Sequence, residues 1–367
     1  METIDQKAKT VKGRNAKADD FEIPYDALLI ATGASPIIPE LPGFDLPGVM
    51  ALKTLEDGRK LKRFIHEQDV ERVVVIGMGY IALEMCEAFR AIQIQVDMVK
   101  PRPVFLPWMN QEMAAVVQEE VEANGATLHL GQEIRGIEKD NGRYRVICSH
   151  IALTADLVLV AVGVRPNSEL AAEADLELGP SGSIAVDRSL RTSGENIYAA
   201  GDCADAFHVV TDERTWIPLA LRANRAGWAV ADNVTGKEVV LDGIAGTAVF
   251  KVFGLQVART GLSVSEAESF GFEPVEMMIK ARSRAHAHPG MSPIWVQMVG
   301  DRKTGRLIGA QLVGREGVAH RINAAAVALH QKMTVEAFSQ CDLAYAPPFG
   351  PTWDPMLTAA NQLLKRM

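Results

Sequence analysis

The stretch Val73-Val-Val-Ile-Gly-Met-Gly-Tyr-Ile-Ala-Leu-Glu84 constrains the fold of this chain more than any other. Four β-formers run into Gly77-Met-Gly79-Tyr-Ile-Ala82, and a helical pattern follows. A strand that turns on glycines into a helix brings backbone N–H groups and a helix N-terminus onto a pyrophosphate. Gly77 permits the tight turn, Gly79 lets the backbone approach the phosphates, and Ala82 allows close packing of helix on strand. A second strand, Ile94-Gln-Val-Asp-Met-Val99, completes a βαβ unit. In that context the glycine pattern is specific for a dinucleotide, and a glycine turn without a ligand is the bland alternative.

The second strand of such a unit usually ends in Asp or Glu, which holds the ribose 2′-OH of NAD. Here it ends at Lys100, with Arg102 nearby. Cations there fit a 2′-phosphate, so NADPH is favoured over NADH. The competing reading leaves Lys100 solvated and gives the ribose to Asp97 or to backbone; Asp97 lies mid-strand and is the poorer candidate.

Two further turns flank the βαβ unit. Ala31-Thr32-Gly33 precedes it, and Ala200-Gly201-Asp202-Cys203 follows well after. Asp202, just beyond a buried strand, is placed to accept hydrogen bonds from ribityl hydroxyls. Pro218-Leu219-Ala220 opens a helix whose positive end suits a flavin pyrimidine edge that becomes anionic on reduction. The order suggests an enzyme built for two dinucleotides.

At 367 residues the chain is long enough for two or three domains and a substantial core. Its 30 glycines and 6% aromatic content suit an α/β protein rich in tight turns. The net charge of -8 disfavours a nucleic-acid surface and favours an acidic cytoplasmic protein. No apolar run approaches the ~20 residues that span a bilayer, and residues 1–20 lack the apolar core of a signal peptide. Cys86, Cys148, Cys203 and Cys341 form no C-x-x-C pair and show no metal-ligand spacing, so structural thiols are expected and no metal site.

Along the chain, residues 25–30 predict a short buried strand, and the prolines at 36, 39, 42 and 47 predict an extended link over 35–48, not a packed element. Helical spacing is predicted over 54–68, from the glycine loop to about Arg90, near 110–124, over 219–235, near 316–331 and over 354–366. Strands are predicted around 126–130, 143–149, 156–162, 184–187 and 197–202, with Gly163-Val-Arg-Pro-Asn167 as a break. From about Gly246 the texture changes to alternating strands such as Thr247–Phe253 and Ile294–Val299.

These motifs, together with Leu343-Ala-Tyr-Ala-Pro-Pro-Phe349, occur in the order of one family. The chain resembles the flavoprotein pyridine nucleotide–disulfide oxidoreductases over nearly its whole length. It is most similar to the branch of coenzyme A-disulfide reductases, NADH oxidases and CoA-persulfide reductases. The resemblance implies an FAD/NAD(P)-binding Rossmann-like two-domain core and a C-terminal α+β dimerisation domain. It divides the chain into residues 1–48 (remnant of the FAD-binding domain and crossover), 49–166 (NAD(P)H-binding), 167–243 (second FAD segment) and 244–367 (interface).

By the same resemblance Gly77, Gly79, Ile81, Ala82 and Gly163 line the NAD(P)H site, Tyr80 gates the nicotinamide pocket, and Glu84 sits near the flavin–nicotinamide contact. Thr32, Gly33, Gly201, Asp202, Leu219 and Ala220 fall to FAD. Tyr345 lies in the segment that reaches a partner subunit's active site in a homodimer. The bland readings leave Tyr80 to packing and Tyr345 as a loop aromatic. The implied activity takes hydride from NAD(P)H through FAD to a small disulfide, persulfide, peroxide or oxygen.

Two departures stand out. The family opens with its own glycine loop for FAD and soon afterwards carries a redox cysteine; neither motif is found here, so the first part of the FAD domain is expected to be truncated. The alternative function is therefore an NAD(P)H-binding, dimerising remnant without turnover. The second departure is Arg284-Ala-His286-Ala-His288-Pro-Gly290, where the family has a Tyr-rich loop. His286 and His288 are candidate acid/base groups there, against the commoner reading of loop histidines without a role.

Overall fold

Strand Arg72–Ile76 is the middle of a five-stranded sheet in a computed structural model that describes residues 1–367. The sheet order is Val49–Ala51, Leu157–Val160, Arg72–Ile76, Gln95–Lys100, Ala126–Leu130, and every neighbouring pair is parallel. Its middle strands are Val/Ile/Leu-rich because both faces are covered. Helix Tyr80–Ala91 follows the glycine turn, and helix Gln111–Ala123 is capped by Asn110, whose side chain accepts from the N–H groups of Glu112 and Met113.

Two expectations fail in instructive ways. Residues 36–48 are packed: Phe44 is buried against Ile137, Tyr144 and Val146 of an antiparallel sheet (Ile134–Asp140, Arg143–Cys148, Ala152–Ala155), and the Ile137 N–H donates to the Pro42 carbonyl. Prolines keep the segment out of a ladder, yet its carbonyls and apolar side chains remain usable. Residues 184–187 form no strand: Ile184, Ala185 and Val186 are buried and Asp187 is exposed, and Ile184 makes only isolated bridges, to Leu178 and Ala204. A buried apolar run needs no ladder when turns supply its backbone partners.

The chain divides into two compact units, Met1–Ser35 with Val164–Gly246, and Pro36–Gly163 with Thr247–Met367. In the first, a three-stranded antiparallel sheet (Thr3–Asp5, Thr10–Arg14, Asp20–Pro24) precedes strand Leu28–Ile30, which pairs in parallel with Ile197–Ala199. Helix Ala220–Val234 buries Ala226, Ala229 and Val230 in the same core as Ile30 and Ala199.

In the second unit residues 247–367 build a five-stranded antiparallel sheet, in the order Ala248–Val252, Leu255–Gly261, Leu307–Gly314, Pro293–Asp301, Pro274–Arg282. Helices Val318–His330 and Pro355–Leu364 pack on it. One core joins the two sheets of this unit: Val73, Val75, Met98 and Leu157 share it with Phe250, Val252, Val257 and Val313. No helix is long and apolar enough to cross a membrane.

Candidate functional site

The glycine loop lies where the strand order reverses, between the carboxyl ends of Arg72–Ile76 and Leu157–Val160, the usual ligand crevice of such sheets. Gly77 has φ +119, and a Cβ on it would sit 2.2 Å from the Ala161 carbonyl oxygen. Only glycine fits that turn. Gly79 is the opposite case. It is exposed, its backbone is extended (φ -85, ψ -171), and a Cβ would meet nothing within 4 Å. Ala82 is fully buried against the sheet. Ile81, Val162 and Gly163 are exposed at the same strand ends.

The helix that starts at Tyr80 has no side-chain cap and no acidic residue in its first turn. Other long helices of this unit are closed: Thr54, Asn110 and Asp354 cap theirs, and the Gln256 side chain accepts from the N–H groups of Val318 and Ala319. An open helix N-terminus beside an open glycine leaves donors and a positive dipole end for a phosphate.

The Tyr80 ring stacks on Phe250 at 4.9 Å between centroids and meets Trp108 edge-on at 5.8 Å. Burial pushes its hydroxyl pKa up, with Arg259 opposing. Glu84 stands exposed one turn on, its carboxyl raised by partial desolvation and by Glu87. At the end of the neighbouring strand Lys100 Nζ donates to the Val104 carbonyl at 2.9 Å; desolvation, then Arg102, lower its pKa. Arg102 is exposed. Asp97 accepts from His129 Nε2 at 2.8 Å, which occupies it on the sheet surface.

In the first unit the turn at Thr32-Gly33 is tied to Asn167. Asn167 Nδ2 donates to the Thr32 carbonyl at 2.9 Å, its N–H donates to the Gly33 carbonyl, and Thr32 Oγ1 donates to the Asn167 carbonyl. Gly33 and Gly201 both have positive φ with open space where a Cβ would stand. Arg222 is buried and donates to the carbonyls of Gly201 and Asp205, while Trp216 Nε1 donates to the Asp202 carbonyl at 2.8 Å. The Gly201-Asp202 turn is thereby held against the start of helix Ala220–Val234, which again has no side-chain cap at Leu219.

Asp205 is fully buried and accepts from the Val186 N–H at 2.9 Å and from Arg214 Nη1 at 2.9 and 3.1 Å. Arg222, Asp205 and Arg214 escaped the sequence reading. Their one signal was the density of charge around an otherwise apolar Gly-Asp-Cys turn.

The third element lies in the second unit. The Ala285 N–H donates to the Pro347 carbonyl, which joins the His286/His288 loop to the Tyr345 segment. Arg284 grips Glu316 with both Nε (2.8 Å) and Nη2 (2.6 Å), and Ser283 Oγ adds 2.6 Å. The guanidinium holds the Glu316 carboxyl below the usual range. Arg321 donates to Asp354 and to the Phe349 carbonyl, each at 2.8 Å. Glu316, Arg321 and Asp354 line a cavity of about 460 Å³ together with Ser283, Leu343 and Phe349. His286 and Tyr345 are exposed, and His288 Nδ1 lies 3.0 Å from the Pro289 carbonyl. Cys86, Cys148 and Cys203 are buried, and burial raises the Cys86 thiol to about 12.

Residues 1–227 match the pyridine nucleotide-disulphide oxidoreductase family, and residues 247–356 match its dimerisation domain. The NAD(P)H sulfur oxidoreductase (CoA-dependent) of Pyrococcus furiosus is 38% identical over 95% of this chain and 78% of its own length. The solved NAD-dependent persulfide reductase from A. fulgidus is 34% identical with a TM-score of 0.95, covering 99% of this chain and 68% of that one. Reduced Bacillus anthracis CoADR-RHD is 32% identical with a TM-score of 0.94; the alignment covers 99% of this chain and 66% of that protein, just under two thirds of its length. The fold, the glycine turns and these matches agree: the chain belongs to the pyridine nucleotide–disulphide oxidoreductases and carries their dimerisation domain.

Proposed function

We propose that this chain is an FAD-dependent oxidoreductase that takes hydride from NAD(P)H and delivers it to a small disulfide or persulfide of the coenzyme A type, with peroxide or oxygen as the other acceptors. The observation that carries this reading is the repeated device of an open glycine turn facing an uncapped long helix, once at Gly79–Tyr80 and once at Gly201 with Leu219–Ala220. Each presents unpaired N–H groups and a positive dipole end to an anionic ligand. The sulfur-type acceptor is supported by the sulfur and persulfide reductases among the similar proteins.

In this reading Gly77 shapes the turn, and Gly79, Ile81, Ala82 and Gly163 border the NAD(P)H pyrophosphate and nicotinamide. Tyr80 and Glu84 face the nicotinamide end. Thr32, Gly33, Gly201, Asp202, Leu219 and Ala220 border FAD, with Arg222 and Asn167 as positioning residues. When bound, FAD supplies the two-electron carrier between nicotinamide and acceptor. In a homodimer built on residues 247–356, Tyr345 and His286 face the acceptor side.

The test is the spectrum of the full chain after incubation with FAD and removal of the excess. A retained flavin whose visible band is bleached anaerobically by NADPH is expected. A chain that retains no flavin overturns the assignment and leaves a dimeric nucleotide-binding protein without turnover.

The coenzyme preference has its own test. Lys100 ends the strand next to the glycine loop, with Arg102 two residues on, and a 2′-phosphate would replace the Lys100 bond to Val104. Lys100→Glu is expected to weaken NADPH binding about tenfold or more while NADH binding holds, since it swaps a charge-assisted bond for repulsion. Fluorescence titration with both coenzymes gives the ratio, and an unchanged ratio removes Lys100 from the 2′-phosphate site.

A further inference from the structure

Two irregular segments carry the side chains assigned above to the acceptor side. Residues 283–292 bring His286 between strands Pro274–Arg282 and Pro293–Asp301. Residues 340–354 bring Tyr345 between helices Val335–Ser339 and Pro355–Leu364. Neither segment has a ladder or helix of its own, and both side chains are exposed. Such a segment keeps one shape only where other groups satisfy its backbone.

Arg321, on helix Val318–His330, is the tie common to both. Its side chain is 12% exposed, and its Nε donates to Asp354 at 2.8 Å. Its Nη2 donates to the Phe349 carbonyl at 2.8 Å and reaches the Ser283 carbonyl at 3.4 Å. One planar fork thus spans the two segments, a reach that the point charge of a lysine does not reproduce. Glu316, on the turn before the same helix, works from the other side. It accepts from Ser283 Oγ and from Arg284 Nε and Nη2, so all its bonds come from the first segment. The segments also meet directly, through the Ala285 N–H and the Pro347 carbonyl at 3.1 Å. Each charge of the cluster already faces its opposite, Arg284 with Glu316 and Arg321 with Asp354. The cluster is built as a brace, not as a ligand site.

We propose that Glu316 and Arg321 are positioning residues that make the two segments one body, so that His286 and Tyr345 meet the acceptor as a preset pair. The inference rests on the acceptor reaction proposed above. Segments that move independently leave only a fraction of molecules with both side chains in place, and apparent acceptor affinity falls by that fraction. A saturating acceptor selects the ordered state, so the loss shows in KM and not in kcat. Neither segment carries a residue assigned to NAD(P)H or FAD, which leaves the first half-reaction untouched.

Glu316→Gln tests the coupling, because it removes the charge, keeps an acceptor oxygen and touches the first segment alone. Hydrogen exchange on the full chain, read by mass spectrometry, is expected to quicken about three- to tenfold over residues 283–292 and by a similar factor over 343–350. In the FAD-loaded chain, with coenzyme A disulfide as acceptor, KM for the disulfide should rise about three- to tenfold. The kcat and the anaerobic rate of flavin reduction by NADPH should stay within about twofold. Arg321→Lys should raise KM further, about tenfold or more, since it breaks the fork itself. If Arg321→Lys does not fold, Glu316→Gln decides alone. Unchanged exchange over 343–350 in Glu316→Gln means two independent segments and overturns the proposal whatever the activity. Faster exchange in both segments with the parent's KM also overturns it, because the coupling then serves nothing the acceptor uses. A parent chain that turns over no acceptor overturns the function proposed above and with it the acceptor role, while the exchange result still decides the coupling.

Discussion

Alanine at position 77 is expected to lower the stability of the chain by about 2–6 kcal/mol, while alanine at position 79 leaves stability within about 1 kcal/mol and weakens coenzyme binding. At Gly77 two penalties add. A side chain at φ +119 is strained wherever it sits, by about 1–3 kcal/mol, and the methyl must also displace the Ala161 carbonyl from 2.2 Å, an overpacking cost of similar size. Because the carbonyl is backbone at the end of a fully buried strand, it has little room to yield. A loss of this size is a large share of a domain's total stability.

Gly79 has neither problem. Its backbone is ordinary and the space around it is open, so the only thing an added methyl meets is whatever binds there. NADPH affinity of Gly79→Ala should fall on the order of tenfold to a hundredfold as the pyrophosphate is pushed off the helix N-terminus. Urea midpoints and coenzyme titrations on both variants separate the effects. A wild-type midpoint for Gly77→Ala, or wild-type NADPH affinity for Gly79→Ala, contradicts the division of labour between the two glycines.

Asp205→Ala should be the most damaging change in the first unit, about 2–4 kcal/mol. The carboxylate is fully buried; without it the Val186 N–H loses its acceptor and the Arg214 guanidinium keeps only the Val186 carbonyl. Breaking a buried pair by removing one partner costs about 3–5 kcal/mol, and the discount reflects Arg214, whose side chain is 34% exposed and can hydrate. Burial drives the Asp205 carboxyl upward, opposed by Val186 and Arg214, so the site already strains against its charge. Asp205→Asn keeps an acceptor for Val186 and should recover about half the loss. The backbone of Asp205 also carries a bond from Arg222, which holds the Gly201 turn, so flavin retention should fall with stability. Equal midpoints for Asp205→Ala and the parent chain would mean that Arg214 and Val186 are satisfied elsewhere.

What could be read from the residues alone was local. The strand Arg72–Ile76, its glycine turn and the helix behind it were legible because each signal lies within a few residues of the next: a β-branched run, a positive-φ requirement, then a 3.6 period. Residues 36–48 were misjudged because proline spacing reports what a segment cannot donate, not what it can bury, and Phe44 outweighs the prolines. The ties that fix the turns lay out of reach for another reason. Thr32 meets Asn167 and Arg222 meets Gly201 across long stretches of chain, and in sequence each is an ordinary polar residue. Nothing in the sequence links Gln297 to Gln311; only the register shows that they stand side by side.

The two units alternate along the chain, residues 1–35 and 164–246 against 36–163 and 247–367. No single cut in the gene therefore releases either one whole. Leu28–Ile30 must also wait for Ile197–Ala199 to leave the ribosome before it has a partner, a delay on the order of ten seconds at ordinary synthesis rates. During that interval the early strand exposes an unpaired edge, the kind of surface that recruits chaperones or aggregates. Recombinant yield should then depend more on translation speed and temperature than on the stability of the finished protein.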